Sequence, residues 1–384
     1  MKNLFICIIL LIISSCSSNP KNISERGFED LLIEKPQINY KLNSLPKDIN
    51  VIYFTDSQDQ NPFPEEIKGL LMNYYSFSKK KDFSLEVNLI NLSTAKSCPS
   101  VPNRNSYNLI FLIKESMGKM SHENCINKFV NNESLLISNH ENKSITETFR
   151  KFSVNRNDDK YELIKFISPI SNTLMVIDNE VTEDKYEIGD LLKKEYEKEI
   201  AEYKTLNSSE SSQDIFSNLL LVDQSLKRKR KLSRIISKDL EHQSRARTDI
   251  DTLLLSVNTQ ETRGLKPALD YIFFEDMEVF LINDWQEDIQ FLEIDKDLEG
   301  VISIEIPFML PSILPDDLKL LQNKSRNFAI GYDAFEIFLL IKGARNLNKT
   351  TYKGLTGKIT FRDKVIQRKS TIFQINDGNY KYFN

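Results

Sequence analysis

Few residues of this 384-residue chain have the types and spacing that catalysis or metal binding requires. His122 and Cys125 are three residues apart, so a helix through them would place an imidazole and a thiol on one face, where both can ligate a metal. The sequence offers no second ligand pair, and a partly exposed polar pair is the simpler interpretation. No P-loop, Gly-x-Ser-x-Gly or His-Glu-x-x-His motif occurs. We therefore expect no enzyme activity, no metal and no cofactor.

The chemistry that the sequence does indicate lies at its N-terminus. Lys2 precedes ten apolar residues (4–13), too few to span a bilayer but typical of a secretory signal. The residues that follow, Ser14-Ser15-Cys16, complete a segment that resembles a bacterial lipobox, whose cysteine is acylated. We interpret 1–15 as a lipoprotein signal peptide and Cys16 as the lipid attachment site. An incidental cysteine in an ordinary signal peptide is the alternative.

The composition limits the cellular location and the partners. Ser17, rather than an aspartate, follows Cys16, which favours an anchor in the outer membrane with the chain facing the periplasm. The net charge of −4 argues against a nucleic-acid partner. Cys98 and Cys125 could pair in an oxidising periplasm and close a loop worth about 3–4 kcal/mol, or they could stay as two buried thiols. Sequence alone leaves both alternatives open.

The elements that position these residues alternate between strands and helices. The apolar, β-branched run at 49–55 predicts a buried strand, further strands are predicted at 84–92, 107–114 and 134–139, and the apolar spacing after Pro64 predicts a helix. The same rhythm restarts near residue 156, with strands at 172–180, 251–258 and 278–284. Strand–helix alternation of this length predicts parallel sheets covered by helices. The fold class is therefore α/β, with two Rossmann-like lobes in series.

A segment near the C-terminus resembles part of a known two-lobe fold. RNFAIGYDAFEIFLLIKGARNL (326–347), followed by YKGLTGKITF, resembles the end of a type I periplasmic-binding-protein fold. That resemblance implies a chain that crosses the hinge between the lobes more than once. In order along the chain, the predicted parts are 1–15 signal peptide, 16–47 tether, 48–152 first part of lobe 1, 153–284 lobe 2, 285–345 return to lobe 1, and 346–384 a C-terminal hairpin on lobe 2.

A narrower resemblance rests on several blocks in a fixed order. The segment 225–271, with its Arg-x-Arg-x-Asp-Ile-Asp and Leu-Lys-Pro motifs, is similar to the LppC/LpoA-type lipoproteins, which activate penicillin-binding proteins. LEGVISIEIPFMLP (298–311) resembles the crossover segment of that family, and FSVNRNDDKYELIKFI (152–167) resembles its passage into the second lobe. Larger members have a helical-repeat domain after the lipidated cysteine, where this chain has about thirty residues. As an extended tether they would reach about 100 Å.

The resemblance implies an outer-membrane lipoprotein that binds and activates a class A penicillin-binding protein and so regulates peptidoglycan synthesis. The alternative from another class is a lipid-anchored solute-binding receptor for an amino acid or a cell-wall fragment. The residues expected at its cleft or hinge are Asp56, Ser57, Trp285 and Asp333. The loop after the first strand lacks the glycine common in such receptors, which weakens the receptor interpretation.

A basic run is the remaining candidate for a binding surface. Its six cations are Lys227, Arg228, Lys229, Arg230, Lys231 and Arg234. They could dock an acidic partner, lipid head groups or the glycan wall. The simpler interpretation is the solvated face of a helix whose other side, with Leu226, Leu232, Ile235 and Ile236, is buried. Similarly, Arg245, Arg247, Asp249 and Asp251 are expected to form salt bridges and caps at the start of a strand.

Overall fold

The computed structural model describes most of the two lobes. The described residues are 31–36, 44–55, 63–79, 83–91, 107–113, 129, 133–139, 150–179, 185–196, 198–207, 209–241, 245–272, 277–282, 296–321, 324–344, 347, 350–362, 365–377 and 379–383. Within these ranges, no helix combines the length and the apolar character needed to cross a membrane.

The first sheet, which defines lobe 1, has eight strands in the described part of the chain. In spatial order they are β11 (Thr351–Gly354), β12 (Gly357–Arg362), β13 (Val365–Lys369), β5 (Arg150–Ser153), β4 (Leu135–Ser138), β3 (Tyr107–Leu112), β1 (Asp48–Thr55) and β2 (Ser84–Asn91). The neighbouring strands β2, β1, β3, β4 and β5 pair in parallel, and β13 pairs in parallel with β5. Strand β12 is antiparallel to β13, and β11 is antiparallel to β12. The four apolar runs thus form neighbouring strands, as predicted, with β2 at the edge of the sheet.

Two helices cross on one face of this sheet. Helix α1 (Glu65–Ser78) begins after Pro64, and helix α7 (Arg326–Gly343) is buried along most of its length. They touch at Gly69 and Gly331: a Cβ atom on Gly331 would lie 1.7 Å from the Glu66 carbonyl oxygen. Only glycines allow the two backbones to come this close, so these residues fix where the helices cross.

The second sheet, which defines lobe 2, has seven strands in the described residues. In spatial order they are β15 (Asn379–Phe383), β14 (Thr371–Asn376), β10 (Ile302–Glu305), β9 (Glu278–Leu281), β8 (Thr252–Ser256), β6 (Thr173–Asn179) and β7 (Glu199–Leu206). The five strands from β10 to β7 pair in parallel. Its described helices are α2 (Arg156–Ile167), α3 (Lys185–Glu195), α4 (Ser212–Leu219), α5 (Val222–Ile236) and α6 (Thr259–Ile272).

Both faces of the second sheet are buried. Along β6, Met175 and Ile177 join one apolar core with α4 and α6, whereas Leu174 and Val176 join another with α2 and α3. Successive strand residues point to opposite faces, so a strand covered on both sides must be apolar throughout. This explains the continuous apolar run that predicted the strand.

The chain passes between the lobes three times in the described structure. The passages lie between β5 and α2, between β10 and α7, and between β13 and β14. This confirms the type I periplasmic-binding-protein-like architecture with more than one hinge crossing.

Two predicted boundaries were wrong. Strand β10, assigned to the return into lobe 1, lies in the second sheet. Within 346–384, residues 351–369 lie in the first sheet, and only β14 and β15 join lobe 2.

Part of the predicted tether is packed onto the lobes. Leu32 pairs with Ile313 in a parallel bridge, and Ile33 is buried beside Phe308 and Phe328. Leu45 is likewise buried in the core of lobe 1. The prediction of a tether over 16–47 was therefore too long, because apolar residues within it have partners on the fold. Fully extended, the chain from Cys16 to Leu31 reaches at most about 50 Å.

Candidate functional site: the junction of the lobes and the basic helix

A buried ion pair spans the second passage between the lobes. Glu305 ends β10 in the second sheet, and Arg326 begins α7, which packs on lobe 1. The Arg326 Nε donates to Glu305 Oε1 at 2.9 Å, and Nη2 contacts Oε2, so the guanidinium binds the carboxylate with two bonds. Oε1 also accepts from the Ile306 amide at 2.8 Å. Because Glu305 is buried, these bonds compensate for the loss of water around its charge.

A second pair spans the first and third passages. Arg368, near the end of β13 in lobe 1, donates through Nη2 to Asp159 Oδ2 at 2.7 Å and to the Asn155 carbonyl at 3.2 Å. Its Nη1 donates to Ser370 Oγ at 2.8 Å. Asp159 lies in the first turn of α2, where the helix dipole favours a carboxylate. One guanidinium therefore holds together the start of α2 and the segment between β13 and β14.

Asp333, predicted at the cleft or hinge, supports the turn between β11 and β12. Its carboxylate accepts from the Leu355 amide at 3.1 Å, the Thr356 amide at 2.7 Å and Thr356 Oγ1 at 2.6 Å. Burial raises the pKa of Asp333 to about 6, although these hydrogen bonds act in the opposite direction. The turn contacts the second passage, since the Phe308 amide donates to the Leu355 carbonyl at 3.1 Å. Asp333 thus acts in the scaffold beside the junction.

These groups surround a small pocket between the lobes. Its volume is about 60 Å³, room for a few water molecules, whereas pockets for small ligands typically measure about 300–1,000 Å³. Its charged lining consists of Arg156, Asp159, Lys160, Glu305, Arg326 and Arg368. Thr356 also lines it, which connects the pocket to the turn that Asp333 holds. In the described structure, the base of the cleft is occupied by side chains that pair with one another.

Several predicted site residues lie outside the described residues: Cys16, Asp56, Ser57, Cys98, His122, Cys125 and Trp285. Their roles stay predictions. Among the residues that the structure does describe, no group of three or more His, Cys, Asp and Glu side chains could hold a metal ion.

Sequence reasoning did not single out the four residues of the junction pairs: Asp159, Glu305, Arg326 and Arg368. One signal was available for Glu305. A carboxylate inside the apolar run 301–310 is costly to bury unless a cation neutralises it, so a partner had to be expected. The identity of that partner depends on the topology, because Arg326 is 21 residues away along the chain.

The basic helix α5 differs from its expected packing. Leu221 and Ser237, which flank it, both adopt left-handed backbone conformations, with φ angles of 59° and 53°. Ser225 is buried near its start, but Leu232, Ile235 and Ile236 are 49%, 69% and 51% exposed. The prediction that these three residues would be buried was therefore wrong. The helix is amphipathic, and the body of lobe 2 covers only its first half.

Three of the four charged residues predicted to form structural contacts before β8 do so: Arg247, Asp249 and Asp251. Arg247 donates to Asp249 Oδ2 at 2.6 Å and to Glu202 Oε1 on β7 at 3.1 Å. Asp251 accepts from the amides of Asn172 and Thr173 at the start of β6, at 2.9 and 3.1 Å. These bonds connect the segment before β8 to the start of β6 and to the middle of β7.

The comparisons with known proteins fall into two groups. Residues 194–378 match the family model described as "LppC putative lipoprotein". No curated protein sequence matches significantly. Full-length LpoA from Haemophilus influenzae is 12% identical, with a TM-score of 0.55; the match covers 93% of this chain and 60% of that one. The LpoA (YraM) C-domain, "a regulator of PBP1A", gives a TM-score of 0.53 over 88% of this chain and 100% of the domain, also at 12% identity.

Structures described as putative amino acid ABC transporters give matches of similar quality. A "putative branched-chain amino acid ABC transporter" from Rhodospirillum rubrum is 12% identical, with a TM-score of 0.58 over 88% of this chain and 100% of that one. At such low identity, the structural likeness establishes the fold and not the ligand or partner. The chain spans about 60% of the full-length LpoA structures that it matches.

Proposed function

Because this chain is of the LppC/LpoA type and has a type I periplasmic-binding-protein-like fold, we propose that it is an outer-membrane lipoprotein that binds and activates a class A penicillin-binding protein. The observation that carries the proposal is the match of the second half to the LppC family, together with a structural match that covers the whole LpoA C-domain. Acylation of Cys16 would hold the domain at the membrane.

The junction of the lobes supports this role over a closing receptor. A receptor binds its ligand in a cleft that closes around it, which needs both space and a movable hinge. Here two paired guanidinium groups bridge the passages, and the pocket beside them holds about 60 Å³. A domain whose lobes are held together in this way would present a surface of fixed shape to a partner protein. By binding the active arrangement of the synthase more tightly than the inactive one, it would shift the synthase towards activity.

The length of the free tether constrains where this contact occurs. Since Leu31 already packs on lobe 2, the lipid anchor and the lobes are separated by at most about 50 Å of chain. A synthase rooted in the opposite membrane would therefore have to bring its own periplasmic part to this domain.

Rate measurements on a synthase test the proposal. The chain from residue 17 onward, without lipid, is added to each class A penicillin-binding protein of the same organism, and glycan polymerisation and peptide cross-linking are followed separately. A faster rate for one synthase is expected. A solute-binding protein of the same fold serves as the control. Unchanged rates for every synthase, with a folded sample, would refute activation.

The second candidate is a lipid-anchored receptor for an amino acid or a cell-wall fragment. The match to the Rhodospirillum rubrum protein over its full length favours it. Binding of a small ligand to the native state would raise the melting temperature, so a thermal-shift screen distinguishes the two candidates.

A further inference from the structure

The exposed end of helix α5 has an apolar face that the fold leaves uncovered. Leu232, Ile235 and Ile236 lie at i, i+3 and i+4 and share one side of the helix. Their exposure is high for aliphatic residues that sit side by side. We refer to these three residues as the α5 apolar face.

The first half of α5 explains why the second half projects from lobe 2. Val222 packs against the core of lobe 2, and the Ser225 side chain is buried, where its Oγ accepts from the Arg245 amide at 3.4 Å. Leu221 breaks the helical path after α4 with a left-handed conformation, which is costly for a bulky residue. This turn directs α5 so that its later turns pass beyond the core.

The charge of α5 is opposite to that of the remaining chain. Six basic residues and one acidic residue, Asp223, give the helix a charge of +5, whereas the whole chain carries −4 and hence −9 outside the helix. Within the described residues, only Lys229 of the six cations forms an ion pair, with Asp239 at 3.5 Å. The other five are exposed to solvent and project from one half of the helix circumference.

From this combination we propose that α5 lies on an anionic phospholipid surface, with the α5 apolar face inserted at the level of the head groups. A cationic half of a helix beside an exposed apolar face is the arrangement of helices that lie in a membrane interface. At such a surface, long lysine and arginine side chains can extend to phosphates while their aliphatic stems stay against the apolar layer. Each cation near such a surface contributes about 1 kcal/mol, and salt weakens that contribution.

The N-terminal segment is also attached to lobe 2. Leu31 packs against the apolar core of lobe 2, and its carbonyl accepts from the Ile313 amide at 2.9 Å. If Cys16 is acylated, as the proposed function requires, the chain that follows it can hold the Leu31 attachment point of lobe 2 within about 50 Å of the bilayer. The helix would then add a second, reversible contact to the covalent anchor and fix the orientation of the lobes.

Vesicle binding by the unlipidated chain from residue 17 tests the proposal without requiring the anchor or the synthase. Co-sedimentation is measured with vesicles of phosphatidylcholine alone and with vesicles that contain 30% phosphatidylglycerol, at low and high salt. Binding is expected only with the anionic vesicles and is expected to fall at high salt. No binding to anionic vesicles at low salt would overturn the proposal.

Two variants locate the contact. The double change Ile235→Ser and Ile236→Ser removes apolar area without altering the charge and should lower partitioning at least tenfold. The triple change Lys227→Gln, Lys231→Gln and Arg234→Gln should lower it similarly. Leu320→Ser, at a residue that is 92% exposed elsewhere on the surface, is the matched control and should bind like the unchanged chain. Equal binding by all of them would contradict the assignment.

The same variants are then titrated against the class A synthases. Unchanged synthase affinity, combined with lost vesicle binding, supports a membrane contact that is independent of the partner. If the variants lose synthase affinity and the unchanged chain does not bind vesicles either, α5 docks an acidic protein surface. That result would overturn the membrane assignment. Failure of the proposed function would appear separately, as a lack of synthase binding by the unchanged chain.

Discussion

Arg368 and Asp159 connect the two lobes directly. The guanidinium Nη2 of Arg368, on the last part of β13 in the first sheet, lies 2.7 Å from the Asp159 carboxylate on α2 of lobe 2. The two residues are 209 positions apart in sequence, and the Arg368 side chain is almost completely buried. Such a pair fixes the geometry of the passages between the lobes, since leaving either charge buried alone is costly.

Replacing Arg368 by methionine should destabilise the chain. The substitution keeps most of the buried volume but leaves the Asp159 carboxylate without its cation, at an expected cost of about 3 kcal/mol in the free energy of unfolding. Urea denaturation measures the change. The neighbouring substitution Lys369→Met breaks the more exposed pair with Glu162 and should change the stability by less than about 1 kcal/mol. Equal effects of the two substitutions would show that the Arg368 pair has no special structural role.

Alanine at Gly331 should disrupt the crossing of α1 and α7. The added Cβ would lie 1.7 Å from the Glu66 carbonyl oxygen, so the helices must separate, at an expected cost of about 3 kcal/mol or more. Gly189→Ala in α3 is the control, because its Cβ would meet nothing within 4 Å and alanine favours the helix by about 0.5–1 kcal/mol. A Gly331→Ala variant as stable as the unchanged chain would contradict this packing.

The buried carboxyl of Asp333 should make stability depend on pH. Its pKa in the folded state is about 6, above the ordinary 3.8, so the folded state binds the proton more tightly than the unfolded state. The stabilisation from this group is therefore greatest at low pH and declines as the pH rises from about 4 to about 6. Between pH 4.5 and 7.5 the decline amounts to about 2 kcal/mol.

Asp333→Asn isolates this contribution, because the amide does not ionise. The stability difference between the unchanged chain and the variant, measured by urea denaturation at the two pH values, should narrow towards pH 7.5. A difference that widens with pH would mean instead that the hydrogen bonds from Leu355 and Thr356 stabilise the ionised carboxylate more than burial opposes it.

Small ligands should have little effect on thermal stability. Within the described part of the chain, the pocket between the lobes measures about 60 Å³, less than an amino acid of the size of leucine requires, and Glu305, Arg326, Asp159 and Arg368 in its lining are paired. A thermal-shift screen with amino acids and muropeptides at millimolar concentration is therefore expected to show changes below about 1 °C. A large increase with one compound would favour the solute-binding receptor.

Local patterns were sufficient to predict the central strands and several helices. The segment 251–258 contains β8, and its apolar centre, Leu253–Leu255, is expected of a parallel strand that is buried on both faces. The helix predicted near 156–167 also forms, with Asn155 as its N-cap. In these segments, the residues that favour the strand or the helix locally are also the residues that the surrounding fold requires.

Long-range arrangement was harder to predict. Strands β13 and β14 are separated only by Ser370, yet they belong to different sheets, and their alternating patterns give no sign of the change. Similarly, the apolar spacing of α5 predicted a buried side. Whether such a side is covered depends on how Leu221 turns the chain, which periodicity does not report. The junction pairs were missed for the same reason, since their partners come from distant segments.

The most direct test of the central claim is a binding titration. The unlipidated chain from residue 17 is titrated against each class A penicillin-binding protein of the same organism, and affinity is followed by interferometry. We expect one synthase to bind with a dissociation constant in the micromolar range or tighter, about −8 kcal/mol or more favourable. The absence of binding to every synthase, with a folded sample, would contradict the proposed function.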